Sequence, residues 1–337
     1  GIIICNHQSH LDLMYIMMLT PKLVVVTNEW VWNSPFYGKI VKYGDYYPVA
    51  NGIENNLEAM QSLISRGYSI VIFPEGTRSA DSSILRFKRG AFYVAEKLGV
   101  DIIPIVVHGI GHALPKTELL LRKGHVTVQI LPRITPENKE FGETYTERAR
   151  LVRQMYAQQY EQLRTQCETP EYYSDLVFHN YIYKGADVQK QARKELYAFS
   201  NFSEILKHVP HQGTVLHVGC GIGVFDLMYA LVHKHIDITA TDSHDEALKL
   251  AKHCTSVPKN LQYVRQDFID KKFIQQFDCV IITGNILDNI AMLCKKMNKS
   301  LFILQQKNMA NNINSANFDG FRVCIDNNTY SLQQLQI

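Results

Sequence analysis

The sequence predicts an α/β fold built as two domains in tandem, and three observations carry that reading. The 337 residues exceed the roughly 100–200 of a single domain. Short Ile- and Val-rich runs alternate with stretches of helical spacing, the pattern of strands and helices packed in layers. The alternation stops at Pro210-His211-Gln212-Gly213 and restarts behind it. Apolar residues at 46% and charged residues at 20% describe a globular chain and exclude disorder or a collagen-like repeat.

In the first half the expected strands are Ile2–Cys5, Leu23–Thr27, Ser69–Phe73, Ile102–Val107 and Val126–Leu131, short enough to be buried strands. Between them, Leu57, Met60, Leu63 and Ile64 give 55–66 a helical stripe. Ala91, Val94, Ala95 and Leu98 do the same for 90–98, which Gly99 ends. Thr144–Thr165, with sparse apolar residues, reads as the closing helix of a domain 1–165. Residues 166–187 bring Tyr172, Tyr173, Phe178, Tyr181 and Tyr183, too aromatic for a flexible linker, and read as a packed connector. A second domain, 188–337, opens with helices over Val188–His208. Strands Thr214–Val218, Ile236–Thr241, Gln262–Arg265, Cys279–Thr283 and Leu301–Gln305 follow, with helices Phe225–His233 and Asp245–His253, a Rossmann-type order.

Seven cysteines without a C-x-x-C pair predict neither a disulfide framework nor a cysteine-built zinc site, and a reducing cytoplasmic compartment. His233 and His235 have no third ligand nearby, so no metal is expected. No apolar run approaches the roughly 18 residues of a membrane span. The chain begins Gly1-Ile2-Ile3-Ile4, as a piece cut from a longer protein would, and an upstream membrane segment is compatible with it. The net charge of +3 is too small to imply nucleic acid as a partner. All of it lies in residues 1–165, with 18 Lys/Arg against 15 Asp/Glu, while the remainder is balanced at 17 each. Arg86, Lys88 and Arg89 cluster there, as a solvated basic face or as an attractor of anionic substrates and lipid headgroups.

Directly after the first strand stands Asn6-His7-Gln8-Ser9-His10-Leu11-Asp12. A histidine with an aspartate five residues on, at a strand-to-helix junction, can fold back into a His–carboxylate pair. Neutral imidazole is a workable base near neutral pH, and the carboxylate fixes its tautomer. The strand ending at Phe73 leads into Pro74-Glu75-Gly76-Thr77-Arg78-Ser79, where a glycine permits close approach and hydroxyls and an arginine offer donors to phosphate. Phe87-Lys88-Arg89-Gly90 then opens a helix, where anions are favoured.

These blocks, with Ser34-Pro35-Phe36-Tyr37-Gly38 and Ile102-Ile103-Pro104-Ile105-Val106, resemble the glycerolipid acyltransferase family that contains the lysophosphatidate acyltransferases. Four blocks match in order across about 110 residues. The resemblance implies an O-acyltransferase with His7 as general base, oriented by Asp12. It implies an acyl thioester of coenzyme A or acyl carrier protein as donor and a lysolipid hydroxyl as acceptor. By the same resemblance Glu75, Gly76, Thr77, Arg78 and Lys88 bind substrate, with Arg78 on the acceptor's phosphate and Glu75 either on the acceptor or bracing the loop. Cys5 is expected to pack the strand. The implied location is cytoplasmic and peripheral, at the inner face of a membrane, with the membrane surface and an acyl carrier protein as partners. Trp30 and Trp32 are expected to pack a loop or touch lipid. One departure bears on the acceptor: the family often carries an arginine near the end of the second block, and Gly44–Asn51 has none. A lysolipid without phosphate fits that departure equally well.

In the second domain Val215-Leu216-His217-Val218-Gly219-Cys220-Gly221-Ile222-Gly223 joins strand to helix, and Asp242 ends the next strand about 20 residues on. This resembles the Rossmann-type S-adenosylmethionine-dependent methyltransferases. The resemblance implies that Gly219, Gly221 and Gly223 admit the methionine part of S-adenosylmethionine. It places Asp242 on the ribose, with Asp267 and Phe268 facing adenine. His217 stands where that family usually has an acid, which predicts weak cofactor binding that His217→Asp would strengthen. No clear acid, base or aromatic cage for a methyl acceptor stands out, and Asn285-Ile286-Leu287-Asp288 is a thin candidate. Two other readings remain: a methyltransferase whose first domain only binds lipid or carrier, and a non-catalytic binding module.

Overall fold

A computed structural model of the chain describes residues 1–27, 33, 46–48, 56–116, 120–198, 202–255, 257–266, 269–283, 294–306, 321–326 and 330–335. The structure divides into two compact α/β units, Gly1–Cys167 and Glu168–Ile337.

The first unit runs β1 (Ile2–Cys5), α1 (Asp12–Met17), β2 (Leu23–Thr27), β3 (Tyr46–Pro48), α2 (Leu57–Ser65), β4 (Ser69–Ile72), α3 (Gly90–Leu98), β5 (Ile102–His108), α4 (Ile110–Ala113), β6 (Thr127–Ile130) and α5 (Tyr145–Cys167). Its six-stranded sheet has the order β3-β2-β4-β1-β5-β6, parallel except for β6. β1 is buried along its whole length because it lies between β4 and β5 with cover on both faces, which is why it reads as an unbroken Ile run. One core cluster joins β1, β4 and β5 to α3 and α5; another joins the opposite face to Ile16 of α1 and Ile110 of α4. The chain leaves β1 at the point where its neighbours β4 and β5 diverge in sequence order. That switch point is where an open parallel sheet forms a crevice at the carboxyl ends of its strands. α3 stops at Gly99, whose φ of +60° supplies the left-handed cap.

The second unit runs α6 (Pro170–His179), α7 (Ala186–Ala198), α8 (Phe202–His208), β7 (Gln212–Val218), α9 (Val224–Val232), β8 (His235–Asp242), α10 (Asp245–Lys252), β9 (Leu261–Arg265), α11 (Lys271–Ile274), β10 (Cys279–Thr283), β11 (Ser300–Gln306), β12 (Phe321–Asp326) and β13 (Tyr330–Leu335). The sheet order is β12-β13-β11-β10-β7-β8-β9, with β13 antiparallel to both β11 and β12. β7 sits between β8 and β10, so the first strand again marks the switch point.

Residues 166–187, expected as a connector, are divided differently. Their first two close α5, and α6 buries Tyr173, Leu176 and Val177, with Tyr181 behind it, in the core of the second unit. Thr169 caps α6 by accepting a hydrogen bond from the Tyr172 N–H, and Pro170 occupies the first turn, where no donor is lost. The helices expected over Val188–His208 are α7 and α8. Among the described residues no helix is long and apolar enough to cross a membrane.

Candidate active sites

The first site is built on the loop between β1 and α1. Asn6 continues the β1–β5 ladder with its side chain: its amide nitrogen donates to the Val107 carbonyl and its amide oxygen accepts from the Val107 N–H, both at 2.8 Å. The loop then turns out of the sheet. Asp12, at the start of α1, is fully buried, and one carboxylate oxygen gathers three partners: Gln8 N–H at 2.7 Å, Ser9 N–H at 2.9 Å and His7 Nδ1 at 2.7 Å. A carboxylate facing Nδ1 holds the proton there and leaves Nε2 as the acceptor nitrogen. The His7 side chain is 24% exposed and its ring stacks on Phe73 at 4.3 Å. The backbone is pinned at both ends of the peptide unit, with His7 N–H donating to Glu75 Oε1 at 3.0 Å and Ser79 N–H donating to the His7 carbonyl at 2.8 Å.

Glu75, expected to contact substrate or to brace the loop, is buried, and its second oxygen accepts the Leu85 N–H at 3.0 Å. Both oxygens are therefore spent on backbone, and Glu75 ties the His7 loop to the segment before α3. Burial raises its pKa from 4.5 to about 7, against the pull of those two N–H groups. Gly76 has a φ of +66°, and a Cβ there would stand 2.6 Å from Lys88 Nζ, so the lysine arches over the glycine. Arg78 Nη1 reaches the Lys116 carbonyl at 3.4 Å, and Lys116 Nζ reaches the Arg78 carbonyl at 2.8 Å and Thr77 Oγ1 at 3.4 Å. His10 feels both Arg78 and His7: after burial, those charges lower its pKa. Burial, then the nearby Asp12 and Glu75, push the Cys5 thiol upward, consistent with packing rather than nucleophilic chemistry.

Two participants escaped the sequence reading. Tyr156 of α5 inserts its hydroxyl between β1 and β5, donating to the Ile4 carbonyl at 2.7 Å and accepting the Ile105 N–H at 2.9 Å. Burial pushes its phenol pKa up, so it keeps the proton it donates. Lys116 lies behind α4, in a stretch that carried no motif; its only signal was a cation after a strand end. Ser34–Gly38, Trp30 and Trp32 lie outside the described residues, and of Gly44–Asn51 only 46–48 are described.

In the second unit the turn after β7 follows the expected course. Gly219, Gly221 and Gly223 have φ of +82°, +55° and +83°. The Gly219 and Cys220 N–H groups donate to the Thr241 carbonyl, and Gly221 N–H donates to Asp242 Oδ2 at 2.8 Å. Asp242 Oδ1 accepts the His244 N–H at 2.9 Å, and backbone and His244 contacts lower its pKa although burial opposes them. Asp267, Phe268 and Asn285–Asp288 lie outside the described residues.

His217 requires a correction. It was expected to weaken cofactor binding by standing where that family usually has an acid, yet it is 1% exposed, with Nδ1 at 2.6 Å from Asp226 Oδ1 and Nε2 at 3.1 Å from Thr283 Oγ1. Thr283 gives its own proton to the Gly219 carbonyl. Both ring nitrogens are therefore taken up by protein partners, one of them a buried carboxylate. The acid absent at 217 has a counterpart at 226, in the first turn of α9, flanked by buried apolar Val224, Phe225, Leu227 and Met228.

Comparison with known proteins separates the two sites. Residues 1–108 match the Acyltransferase family model and residues 200–292 match the Methyltransferase small domain model. Each unit thus carries a match to a family model of its own. The first unit is similar to a 1-acyl-sn-glycerol-3-phosphate acyltransferase of Cocos nucifera, 31% identical over 147 residues, 42% of this chain and 47% of that protein. It is also similar to the human 1-acyl-sn-glycerol-3-phosphate acyltransferase alpha, 31% identical over 142 residues, 40% of this chain and 50% of that one. The chain spans about half the length of these relatives. Among solved structures, the 1-acyl-sn-glycerophosphate acyltransferase PlsC from Thermotoga maritima aligns at 24% identity and a TM-score of 0.42, over 48% of this chain and 66% of that one.

Proposed function

We propose that the first unit transfers a fatty acyl group from a thioester, on coenzyme A or an acyl carrier protein, to the free hydroxyl of a lysolipid of the 1-acylglycerol-3-phosphate kind. The observation that carries this reading is the His7 ring, held through Nδ1 by a buried carboxylate in a side chain that stays 24% exposed. In the reaction Nε2 takes the proton of the acceptor hydroxyl as its oxygen attacks the thioester carbonyl carbon. The tetrahedral adduct collapses with cleavage of the C–S bond, and the imidazolium returns its proton to the departing sulfur, giving ester and free thiol. Asp12 stabilises the imidazolium in between. Arg78, Thr77 and Lys88 hold the acceptor's anionic group beside the base. Met14, Met17, Met18 and Leu19, exposed on and just after α1, supply an apolar surface next to the site for acyl chains or a membrane surface.

The second unit, in this proposal, binds S-adenosylmethionine. Its residues fit that group: among the described residues nothing lies within 4 Å of where a Cβ on Gly221 would stand, leaving room for close backbone approach, and Asp242 retains acceptor capacity beyond its bonds from Gly221 and His244. When bound, the cofactor supplies an electrophilic methyl group. Gly219, Gly221 and Gly223 shape the turn that would receive it and Asp242 would take ribose hydroxyls.

The test of the acyltransferase reading is incubation with radiolabelled acyl-coenzyme A and acyl carrier protein against a panel of lysolipids. The proposal expects labelled diacyl product with the wild-type chain and a loss of roughly 10²–10⁴ in turnover for His7→Ala with the fold intact. Unchanged turnover in a folded His7→Ala protein contradicts it.

A further inference from the structure

We propose that Lys116 is a phosphate-binding residue, completing with Thr77, Arg78 and Lys88 a cradle for a phosphomonoester beside His7. The inference rests on the acyltransferase reading and names a residue that no block of that family's pattern contains. Three cations meet on three consecutive residues of one turn. Lys88 Nζ lies over Gly76, Lys116 Nζ is bound at Thr77 Oγ1 and the Arg78 carbonyl, and Arg78 returns a bond to the Lys116 carbonyl. Like charges gathered on one turn repel one another, and a bound dianion relieves that repulsion. The adjacent acid does not, because both Glu75 oxygens are turned onto backbone N–H groups.

The turn is also placed for the reaction. Ser79, which ends it, donates to the His7 carbonyl at 2.8 Å, so the cradle is one residue removed from the peptide that carries the base. The Lys116 segment is fastened to the same loop from the other side, where Ser9 Oγ donates to the Leu114 carbonyl at 2.9 Å. The three strands that feed these segments, β1, β4 and β5, are parallel, so all three loops leave the same sheet edge. Lys116 thus supplies the further cation that Gly44–Asn51 lacks. As a compact charge on a flexible stem, lysine can leave its carbonyl partner for a phosphate oxygen while Arg78 keeps the fork geometry.

The phosphate can belong to the acceptor or to the donor, and the assay separates them. Steady-state kinetics of wild type, Lys116→Met and Lys116→Arg are compared with lysophosphatidate and monoacylglycerol as acceptors, each with acyl-coenzyme A and phosphate-free acyl-pantetheine as donors. For Lys116→Met the KM of the phosphate-bearing substrate should rise about tenfold or more, the worth of a charge-assisted hydrogen bond, with kcat nearly unchanged. Lys116→Arg should recover most of that loss. A rise confined to lysophosphatidate assigns the phosphate to the acceptor; a rise confined to acyl-coenzyme A assigns it to the donor. Equal losses with and without phosphate, or no change, would overturn the proposal. Should the wild-type chain acylate none of these acceptors, the acyltransferase reading fails separately. Calorimetric titration with glycerol 3-phosphate then decides the cradle, with weaker binding expected for Lys116→Met and identical binding contradicting it.

Discussion

His7 with Asp12 in the first unit, and His217 with Asp226 in the second, are joined in the same way, Nδ1 to a carboxylate oxygen at 2.7 and 2.6 Å. His7 stands just after the first strand of its sheet and His217 inside the first strand of its own, and each aspartate is fully buried with one oxygen lacking a protein partner among the described residues. The difference lies at the second ring nitrogen. On His7 it belongs to a side chain about one quarter exposed. On His217 it is closed off by Thr283, and the ring is buried. A His–Asp pair is thus not itself a catalytic device. The environment of the remaining nitrogen decides between a base and a brace.

Breaking the first pair should give the largest effect. Asp12→Asn leaves an acceptor for the loop N–H groups but no charge for the imidazolium, and acyl transfer should fall by roughly 10²–10⁴, read as kcat on lysolipid. The corresponding change in the second unit should act on folding instead. His217→Asp sets a second carboxylate against buried Asp226, and an uncompensated buried charge costs about 3–5 kcal/mol, read in urea unfolding of the chain. It should not tighten S-adenosylmethionine, contrary to what the position alone suggested. Replacing both partners by apolar residues, His217→Leu with Asp226→Leu, should cost less than either single change.

A smaller effect is expected at Glu75, whose carboxyl titrates in the fold at about 7 rather than 4.5. A raised carboxyl pKa means that the folded chain holds the proton more tightly. Its stabilising contribution is complete below pH 4.5 and is lost as pH rises through about 7, on the order of 3 kcal/mol for the shift. The stability difference between wild type and Glu75→Gln should therefore be greater in acid than above neutrality; an unchanged difference would contradict the buried placement. Smallest is Tyr156→Phe, which leaves the Ile4 carbonyl and the Ile105 N–H without their shared hydroxyl. It should cost about 1–3 kcal/mol in unfolding while leaving acceptor KM unchanged.

The contrast also shows what could be read from the sequence. Both sheets were legible, because buried parallel strands write themselves as Ile and Val runs, and so were the motif loops, because glycine and charged residues interrupt those runs at strand ends. His7 and Asp12 were legible as a pair since five residues of one loop join them. His217 and Asp226 were not, because their meeting depends on a strand and a helix packed together, and Asp226 lies in a helix otherwise read as apolar. Tyr156 acts on β1 from 152 residues away, and Lys116 is tied to Arg78 across 38. β12 and β13 add an antiparallel edge that the alternating pattern did not announce. Glu75 sits in a motif, but its direction, inward onto two N–H groups, is a property of packing alone.

The measurement that tests the difference between the pairs most directly is a two-readout comparison of His7→Gln and His217→Gln in the whole chain, acyl transfer to lysophosphatidate beside the urea unfolding midpoints. The account predicts that His7→Gln abolishes most transfer with midpoints close to wild type, while His217→Gln lowers the midpoint of the unit that contains it. A folded His7→Gln chain that still transfers acyl groups at the wild-type rate would contradict it.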